Sequence, residues 1–296
     1  CAAFFEAEKK HMWPNVWQMA AREDELLQAG DYVVYNNVGR SYLIVRQDDG
    51  SVKAFHNVCL HRGRKLRTES GSADDFTCPF HGFAWKTDGG LKHIPCEWDF
   101  QHLKERDMSL PELRVERWQG FIFVTESATQ VSLRDYMGAE VYDRFARWRL
   151  DECYTALWVG KVINANWKAV SEAFMEAWHS IVTHPQILPY TGDANTRYSM
   201  WGDHANLALT PFGLPSPHLA ADNLSEDDII AAFSRTSGRS ASLEGRKLNE
   251  GETARKAMAE INRANFLDAL GYDSAGISDS EMLDAFTYNI FPNLSP

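Results

Sequence analysis

Two short segments, Cys59-Leu60-His61 and Cys78-Pro79-Phe80-His81, constrain this chain more than any other feature. Each supplies one thiol and one imidazole, and sixteen residues separate them. Four metal-binding donors on two loops require a fold that holds those loops side by side. A tetrahedral Cys₂His₂ zinc site is one reading. Zinc fingers, however, pair Cys with Cys and then His with His on a helix, whereas here each loop mixes the two. That mixing suits a two-iron cluster in which one iron takes both thiolates and the other both imidazoles. Neutral imidazoles in place of thiolates remove negative charge. They raise the potential to roughly −150 to +300 mV, against about −400 mV for a four-cysteine plant-type ferredoxin.

Five cysteines (Cys1, Cys59, Cys78, Cys96, Cys153) in 296 residues make no disulfide framework and fit metal use in a reducing cytosol. The net charge of −11 excludes a general nucleic-acid or membrane-surface binder, because phosphate repels such a surface. Apolar runs such as Gly120-Phe121-Ile122-Phe123-Val124 fall far short of the roughly 18 residues of a membrane span. A cysteine at position 1 would suit a lipidated terminus, but a trimmed sequence is the expectation. Residues 289–296 read as the start of a strand and turn rather than as a tail.

The length predicts about two domains. Val- and Tyr-rich runs at 32–36, 41–46, 52–57, 76–86, 91–94, 113–117 and 121–125 alternate with turn signals such as Asp48-Asp49-Gly50 and Asp88-Gly89-Gly90. So many short strands predict a small antiparallel barrel or sandwich. Ahead of it, 15–28 has a helical period and ends near Gly30, which predicts a helical lead-in. The character changes near 130. Helices are expected at 133–150, 166–183, 225–236, 253–270 and 279–286, with strand-like stretches at 154–163 and 197–210. The last helix opens with the capping-box pattern Ser278-Asp279-Ser280-Glu281. The expected division is an all-β domain over 1–130 and an α+β domain over 131–296.

A second constellation lies in that α+β half. Glu172, Glu176 and His179 share one helical face. His179 and His184 are five apart, roughly 140° round an ideal helix. Both can face one ion only if the helix bulges or ends between them, and Pro185 supplies a reason to end. Two imidazoles so placed suit a 2-His-1-carboxylate iron(II) site, which keeps positions open for dioxygen. A histidine beside a tryptophan, as His179 is beside Trp178, is by itself an ordinary core residue; the joint pattern N-W-K-x3-E-x3-E-x2-H-x4-H over 166–184 is far more specific.

That pattern, together with C-x-H-x16-C-x2-H framed by Gly63, Pro79 and Gly82, resembles the α (large terminal oxygenase) subunits of Rieske non-heme iron ring-hydroxylating oxygenases. The resemblance covers nearly the whole chain. It implies an N-terminal all-β Rieske [2Fe–2S] domain followed by a helix-grip (START-like) α+β catalytic domain, incomplete at its C-terminal end. By it, Cys59, His61, Cys78 and His81 hold the cluster, and His179 and His184 hold a mononuclear Fe(II). Glu176 takes the place of the bridging acid, which in the family joins an iron-ligand His to a cluster-ligand His of the neighbouring subunit. The family more often has Asp there. The family's third iron ligand, a carboxylate on a late helix, is expected beyond Pro296; Asp268, Asp273, Asp279 and Glu281 match no motif. Respiratory Rieske proteins carry an extra Cys in each loop, where this chain has Arg62-Gly63-Arg64 and Phe80.

The resemblance further implies a cytoplasmic terminal oxygenase fed from NAD(P)H through a reductase, a ferredoxin or both. It would use O₂ on an aromatic or other hydrophobic substrate, by dioxygenation, mono-oxygenation or demethylation. It would work as a head-to-tail homotrimer or α3β3 assembly. The alternative is a Rieske-type electron carrier without a working mononuclear iron. Arg62, Arg64, Lys65 and Arg67 are either a solvated face or a dock for an acidic ferredoxin. Phe83 and Trp85 are expected to pack around the cluster, and Leu188, Tyr190, Trp201, Phe212 and Leu214 are candidates for an apolar substrate pocket.

Overall fold

A computed structural model describes residues 1–103, 105–236, 247–271 and 273–295. The chain forms two compact units, Cys1–Lys161 with Phe291–Leu294, and Val162–Ile290 with Ser295–Pro296. Residues 131–161, grouped with the second domain by their sequence, pack in the first unit: Leu133, Tyr136 and Met137 are buried, and Tyr136 Oη donates to the Phe291 carbonyl at 3.1 Å. Among the described residues no helix is long and apolar enough to cross a membrane.

The first unit begins with the short helix α1 (Ala2–Ala7) and continues as strands β1 (Gln18–Arg22), β2 (Asp31–Asn37), β3 (Arg40–Arg46), β4 (Val52–His56), β5 (Gly71–Ser72), β6 (Asp75–Thr77), β7 (Ala84–Lys86), β8 (Leu91–His93), β9 (Glu112–Trp118) and β10 (Phe121–Thr125). They make a seven-stranded antiparallel sheet in the order β1-β10-β9-β4-β3-β2-β5 and a three-stranded sheet β6-β7-β8. Successive strand side chains point to opposite faces, so the central strands feed two cores. Tyr32, Leu43, Val45 and Phe55 enter one core, which also holds Cys59, Phe76, Cys78, Phe83 and Trp85. Val33, Tyr42, Ile44 and Ala54 enter the other, with Ala21, Leu113, Ile122 and Val124. The cluster-motif cysteines are thus core residues of the first unit.

Four expectations need correction here. The helix over 15–28 is instead β1, paired with β10 from Gln18↔Val124 to Arg22↔Phe121. A bulge between Met19 and Ala21 breaks the two-residue period. The buried positions of β1 are therefore Gln18 and Ala21, a three-residue spacing that mimics a helix. The run 76–86 is two strands, β6 and β7, separated by the loop that carries Cys78 and His81. The stretch 154–163 forms no strand; Tyr154, Leu157, Trp158, Val159 and Val162 are exposed. An isolated extended segment cannot satisfy its own amides and carbonyls without a neighbouring strand. The expected helix over 133–150 is split into α2 (Leu133–Met137) and α3 (Ala139–Arg144) at Gly138, whose φ of +82° no helix tolerates.

The second unit contains α4 (Trp167–Glu172), α5 (Ser180–Thr183), the hairpin β11 (Arg197–Trp201) and β12 (Ala205–Thr210), α6 (Glu226–Thr236), α7 (Ala254–Leu270), α8 (Asp279–Leu283) and β13 (Ala285–Ile290). β12 lies between β11 and β13, both antiparallel to it. The capping box is present: Ser278 accepts from the Glu281 amide while the Glu281 carboxylate accepts from the Ser278 amide. Between α8 and β13, Asp284 takes both Nη atoms of Arg255 at 2.5 and 2.9 Å and the Phe212 amide at 2.9 Å. This pair ties α7 to the loop after β12.

Candidate metal centres

The two cluster-motif loops are built alike. In the first, the Cys59 amide donates to the Arg64 carbonyl at 2.7 Å and the Gly63 amide to the Cys59 carbonyl at 2.9 Å. In the second, the Cys78 amide donates to Phe83 at 2.7 Å and the Gly82 amide to Cys78 at 3.0 Å. Each turn closes through a glycine at positive φ, +72° at Gly63 and +75° at Gly82. Cys59 and Cys78 are buried free thiols, while His61 and His81 are exposed. The two imidazoles meet edge to face with ring centres 4.8 Å apart. Burial pushes the Cys59 thiol up, and the neighbouring Cys78 adds to that; the amides of His61 and Arg62, donating to the sulfur, act against it. Amide donors of this kind also tune a cluster bound through that sulfur. Phe83 stacks on His61 at 4.8 Å, and Trp85 is fully buried with its Nε1–H on the Met108 carbonyl at 2.7 Å, the packing role expected of both.

Asn57, which sequence reasoning passed over, clamps the first loop. Its Oδ1 accepts from the Leu66 and Arg67 amides at 2.9 and 3.0 Å, and its Nδ2 donates to the Arg67 carbonyl at 2.7 Å and to Ser41 Oγ at 3.0 Å. Arg67 in turn donates from its guanidinium to the carbonyls of Thr77 and Asp75, on the strand leading into Cys78. Asn57 and Arg67 therefore brace one loop against the other. An asparagine two residues before a loop cysteine reads as ordinary turn chemistry, and only its 2% exposure reveals the clamp. Asn57→Leu leaves two amides and a carbonyl unpaired and is expected to cost roughly 2–4 kcal/mol. Faster loss of iron and sulfide at constant temperature, with a lowered Tm, is the measurement. Of the basic cluster, Arg67 is thus structural and Lys65 is held by Asn36 Oδ1 at 2.8 Å. Arg62 and Arg64 are exposed.

In the second unit the helix expected over 166–183 breaks. α4 starts at Asn166, whose side chain accepts from the Lys168 amide at 3.0 Å, and it ends at Glu172. Glu176 then turns its carboxylate onto the chain that follows. One oxygen accepts from the amides of Trp178 and His179, and the other faces His179 Nδ1 at 2.5 Å. Partial burial raises Glu176, but these hydrogen bonds from His179 and the two amides outweigh it and hold the carboxyl below its usual range. His179 precedes α5 and His184 ends it, with φ −130° and ψ +48° just before Pro185. Because the helix ends at His184, the two imidazoles meet with ring centres 5.3 Å apart, a proximity that an unbroken helix denies them. With Nδ1–H on Glu176, His179 keeps the Nε2 lone pair for a metal.

Glu176, His179 and His184 line a cavity of about 430 Å³. Its remaining walls include Ala173, Phe174 and Ala177 from the broken helix, Ala208 and Thr210 from β12, and Ala285 and Thr287 from β13. Of the five pocket candidates read from the sequence, only Phe212 lines it. Leu188 and Tyr190 are core residues, Trp201 stacks on Tyr288 at 6.3 Å, and Leu214 is exposed. Alternation along β12 and β13 chose other residues for the cavity wall.

The donor sets fit the groups their chemistry implies. Two buried thiols and two imidazoles suit a two-iron cluster, and two imidazoles oriented by a carboxylate suit a mononuclear iron. Among the described residues no three His, Cys, Asp or Glu side chains gather closely enough to hold one ion. The donors of the first centre thus come as pairs, and among the described residues no carboxylate joins the two histidines of the second as a third ligand.

Residues 16–104 match the Rieske [2Fe-2S] domain and residues 139–295 the ring hydroxylating alpha subunit (catalytic domain). The carnitine monooxygenase oxygenase subunit of Escherichia coli (strain K12) is 33% identical over 186 residues, covering 61% of this chain and 49% of its own length. The large oxygenase component of a naphthalene 1,2-dioxygenase system from a Ralstonia species is 34% identical over 197 residues, covering 62% of this chain and 43% of its own. The chain spans about half the length of the curated relatives it matches. A solved quaternary ammonium Rieske monooxygenase, described in terms of carnitine oxidation and inter-subunit electron transfer, superposes with a TM-score of 0.62 at 27% identity over 70% of this chain and 57% of that one. With one family spanning the cluster loops and the other spanning the histidine pair, the chain belongs to the Rieske-type ring-hydroxylating oxygenase α subunits.

Proposed function

We propose that this chain is the terminal oxygenase component of a multicomponent Rieske oxygenase, working in the cytoplasm. It takes electrons from an NAD(P)H-dependent reductase, directly or through a ferredoxin, and hydroxylates a small, mainly apolar substrate with O₂. The observation that carries this reading is the gathering of His179 and His184 on the wall of one cavity, with Glu176 on His179 Nδ1.

When bound, the cluster supplies single electrons and the ferrous ion activates dioxygen. Cys59 and Cys78, buried in the core, and His61 and His81, exposed at the surface, would hold the cluster. A donor or acceptor would then approach on the side where His61 and His81 are exposed. Glu176 fixes the tautomer and rotation of His179 and is the residue through which a neighbouring subunit's cluster is reached. The inter-subunit electron transfer described for a similar protein supports a head-to-tail assembly, as homotrimer or α3β3. Arg62 and Arg64, exposed beside His61, form the dock for an acidic donor. The double variant Arg62→Glu, Arg64→Glu is expected to slow donor-supported turnover about tenfold at low salt. Turnover with a small artificial reductant stays unchanged, and equal donor kinetics would remove the dock.

Metal and sulfide analysis of the full-length protein tests the whole reading. About three irons per two acid-labile sulfides, with label from ¹⁸O₂ in the product, is the expected result. About two irons per two sulfides with no oxygenated product would make the protein an electron carrier, and zinc without sulfide would reject both.

A further inference from the structure

The cavity beside His179 and His184 has a polar side that oxygen chemistry does not use. Thr191 lines it and is 2% exposed, and its Oγ1 is buried with no hydrogen-bond partner among the described residues. Buried hydroxyls are almost always hydrogen-bonded. Thr191 lies across from Phe212 in an isolated β-bridge, and the next amide, Gly192, donates to the Pro211 carbonyl at 2.9 Å. This places Thr191 next to the end of β12, where Thr210 also lines the cavity.

The proton of Thr210 can be assigned by elimination. Thr196 Oγ1 donates its only proton to the Asp193 carbonyl at 2.6 Å. Thr196 and Thr210 hydroxyls are 2.9 Å apart, so Thr210 must be the donor of that contact. Thr210 therefore offers the cavity lone pairs alone, whereas Thr191 has both a proton and lone pairs uncommitted. One staggered step about χ1 carries a threonine hydroxyl into the position its methyl held, so Thr191 can turn its hydroxyl to a ligand. Among the described residues no cationic side chain lines the cavity, and its one carboxylate, Glu176, is engaged by His179. Apart from the ion that His179 and His184 would hold, a carboxylate or phosphate ligand would find no counter-charge among these side chains.

We propose that the cavity selects a small, uncharged, mainly apolar molecule bearing a hydroxyl group, a phenol or alcohol. Thr191 donates to the ligand oxygen and Thr210 accepts from its O–H. Thr191 is then a specificity-determining residue, and this rests on the cavity being the substrate site.

Calorimetric titration of the full-length, metal-loaded protein without oxygen tests it, because binding is read apart from turnover. The probes are 2-naphthol and 2-methylnaphthalene, which differ by hydroxyl against methyl. Wild type is expected to bind the naphthol at least about tenfold more tightly. Thr191→Val, a near-isostere, is expected to reduce that preference to about twofold or less without weakening the methyl probe, while Thr191→Ser keeps it. Equal binding of the probes by wild type, or a preference that survives Thr191→Val, overturns the proposal. Ala208→Trp, which fills the cavity, separates the two levels of inference. If both probes bind that variant as they bind wild type, the cavity is not the substrate site, and the broader reading fails along with the subsite.

Discussion

Replacing His184 with alanine is expected to empty the second centre of iron and abolish oxygenation while the cluster's visible absorption and EPR spectrum stay as in wild type. His184 is one of two imidazoles that meet where α5 ends. Loss of an outer-sphere partner alone typically lowers metal affinity 10- to 100-fold, so loss of a direct ligand from a pair should exceed about 100-fold. The cluster should not respond, because its proposed ligands sit in the other compact unit, whose core contains none of α4, α5 or β11–β13. Iron and sulfide analysis would then fall from about three irons per two sulfides to about two. Reduction of the cluster by its donor should proceed at the wild-type rate. A variant that retained the third iron, or still formed product, would show that His184 is not a ligand. The electron-carrier reading gives a different pattern, with the wild type itself already at two irons and the substitution silent.

The parts of this molecule that depend on local pattern were legible in the sequence. Cys59, His61, Cys78 and His81 stand out because metal chemistry accepts few residue types and the loops impose their spacing. β2, β3 and β4 are legible because alternating side chains enter two cores, Leu43 and Val45 one, Tyr42 and Ile44 the other. What stayed hidden depends on partners distant in sequence. The bulge in β1 exists only against β10, and without that pairing its burial at Gln18 and Ala21 reads as a helix. Residues 154–163 alternate like a strand, yet pattern alone cannot supply a neighbour. Asn57 shows its role only once Leu66 and Arg67 fold back onto it. An end to the helix between His179 and His184 was foreseen as a requirement of their spacing, and α5 does end at His184, before Pro185. The earlier break between Glu172 and Ser180, where a carboxylate bonds to the amides of Trp178 and His179, was not foreseen. Likewise the cavity draws Ala208, Thr210, Ala285 and Thr287 from two paired strands that lie far apart in the chain.

Glu176→Gln should separate binding of the metals from their communication. Glutamine has the same shape, so one of its terminal atoms can still accept from either His179 Nδ1–H or the two backbone amides. It cannot serve both, because the other terminal atom becomes a donor. Either His179 loses the acceptor that fixes its tautomer, or the turn at Trp178 loses its cap. A hydrogen bond to a charged acceptor contributes about 1.5–3 kcal/mol, enough to loosen the imidazole without expelling the ion. Iron content is therefore expected to stay within about threefold of wild type, and the cluster signal is expected to be unchanged. Product formation should fall by about 100-fold or more, since on the proposed route an electron passes through an acid that no longer carries charge or holds the ring. Single turnover of the fully reduced, substrate-loaded protein gives the sharper reading: on adding O₂ the cluster should stay reduced in the variant and oxidise in wild type. Glu176→Asp restores the charge but withdraws the carboxylate by one methylene from a contact that is only 2.5 Å long. Its rate should lie above that of the glutamine variant and below wild type. If glutamine turned over at the wild-type rate with both centres loaded, Glu176 would be a helix-breaking residue alone, and electrons would reach the histidine pair by another path.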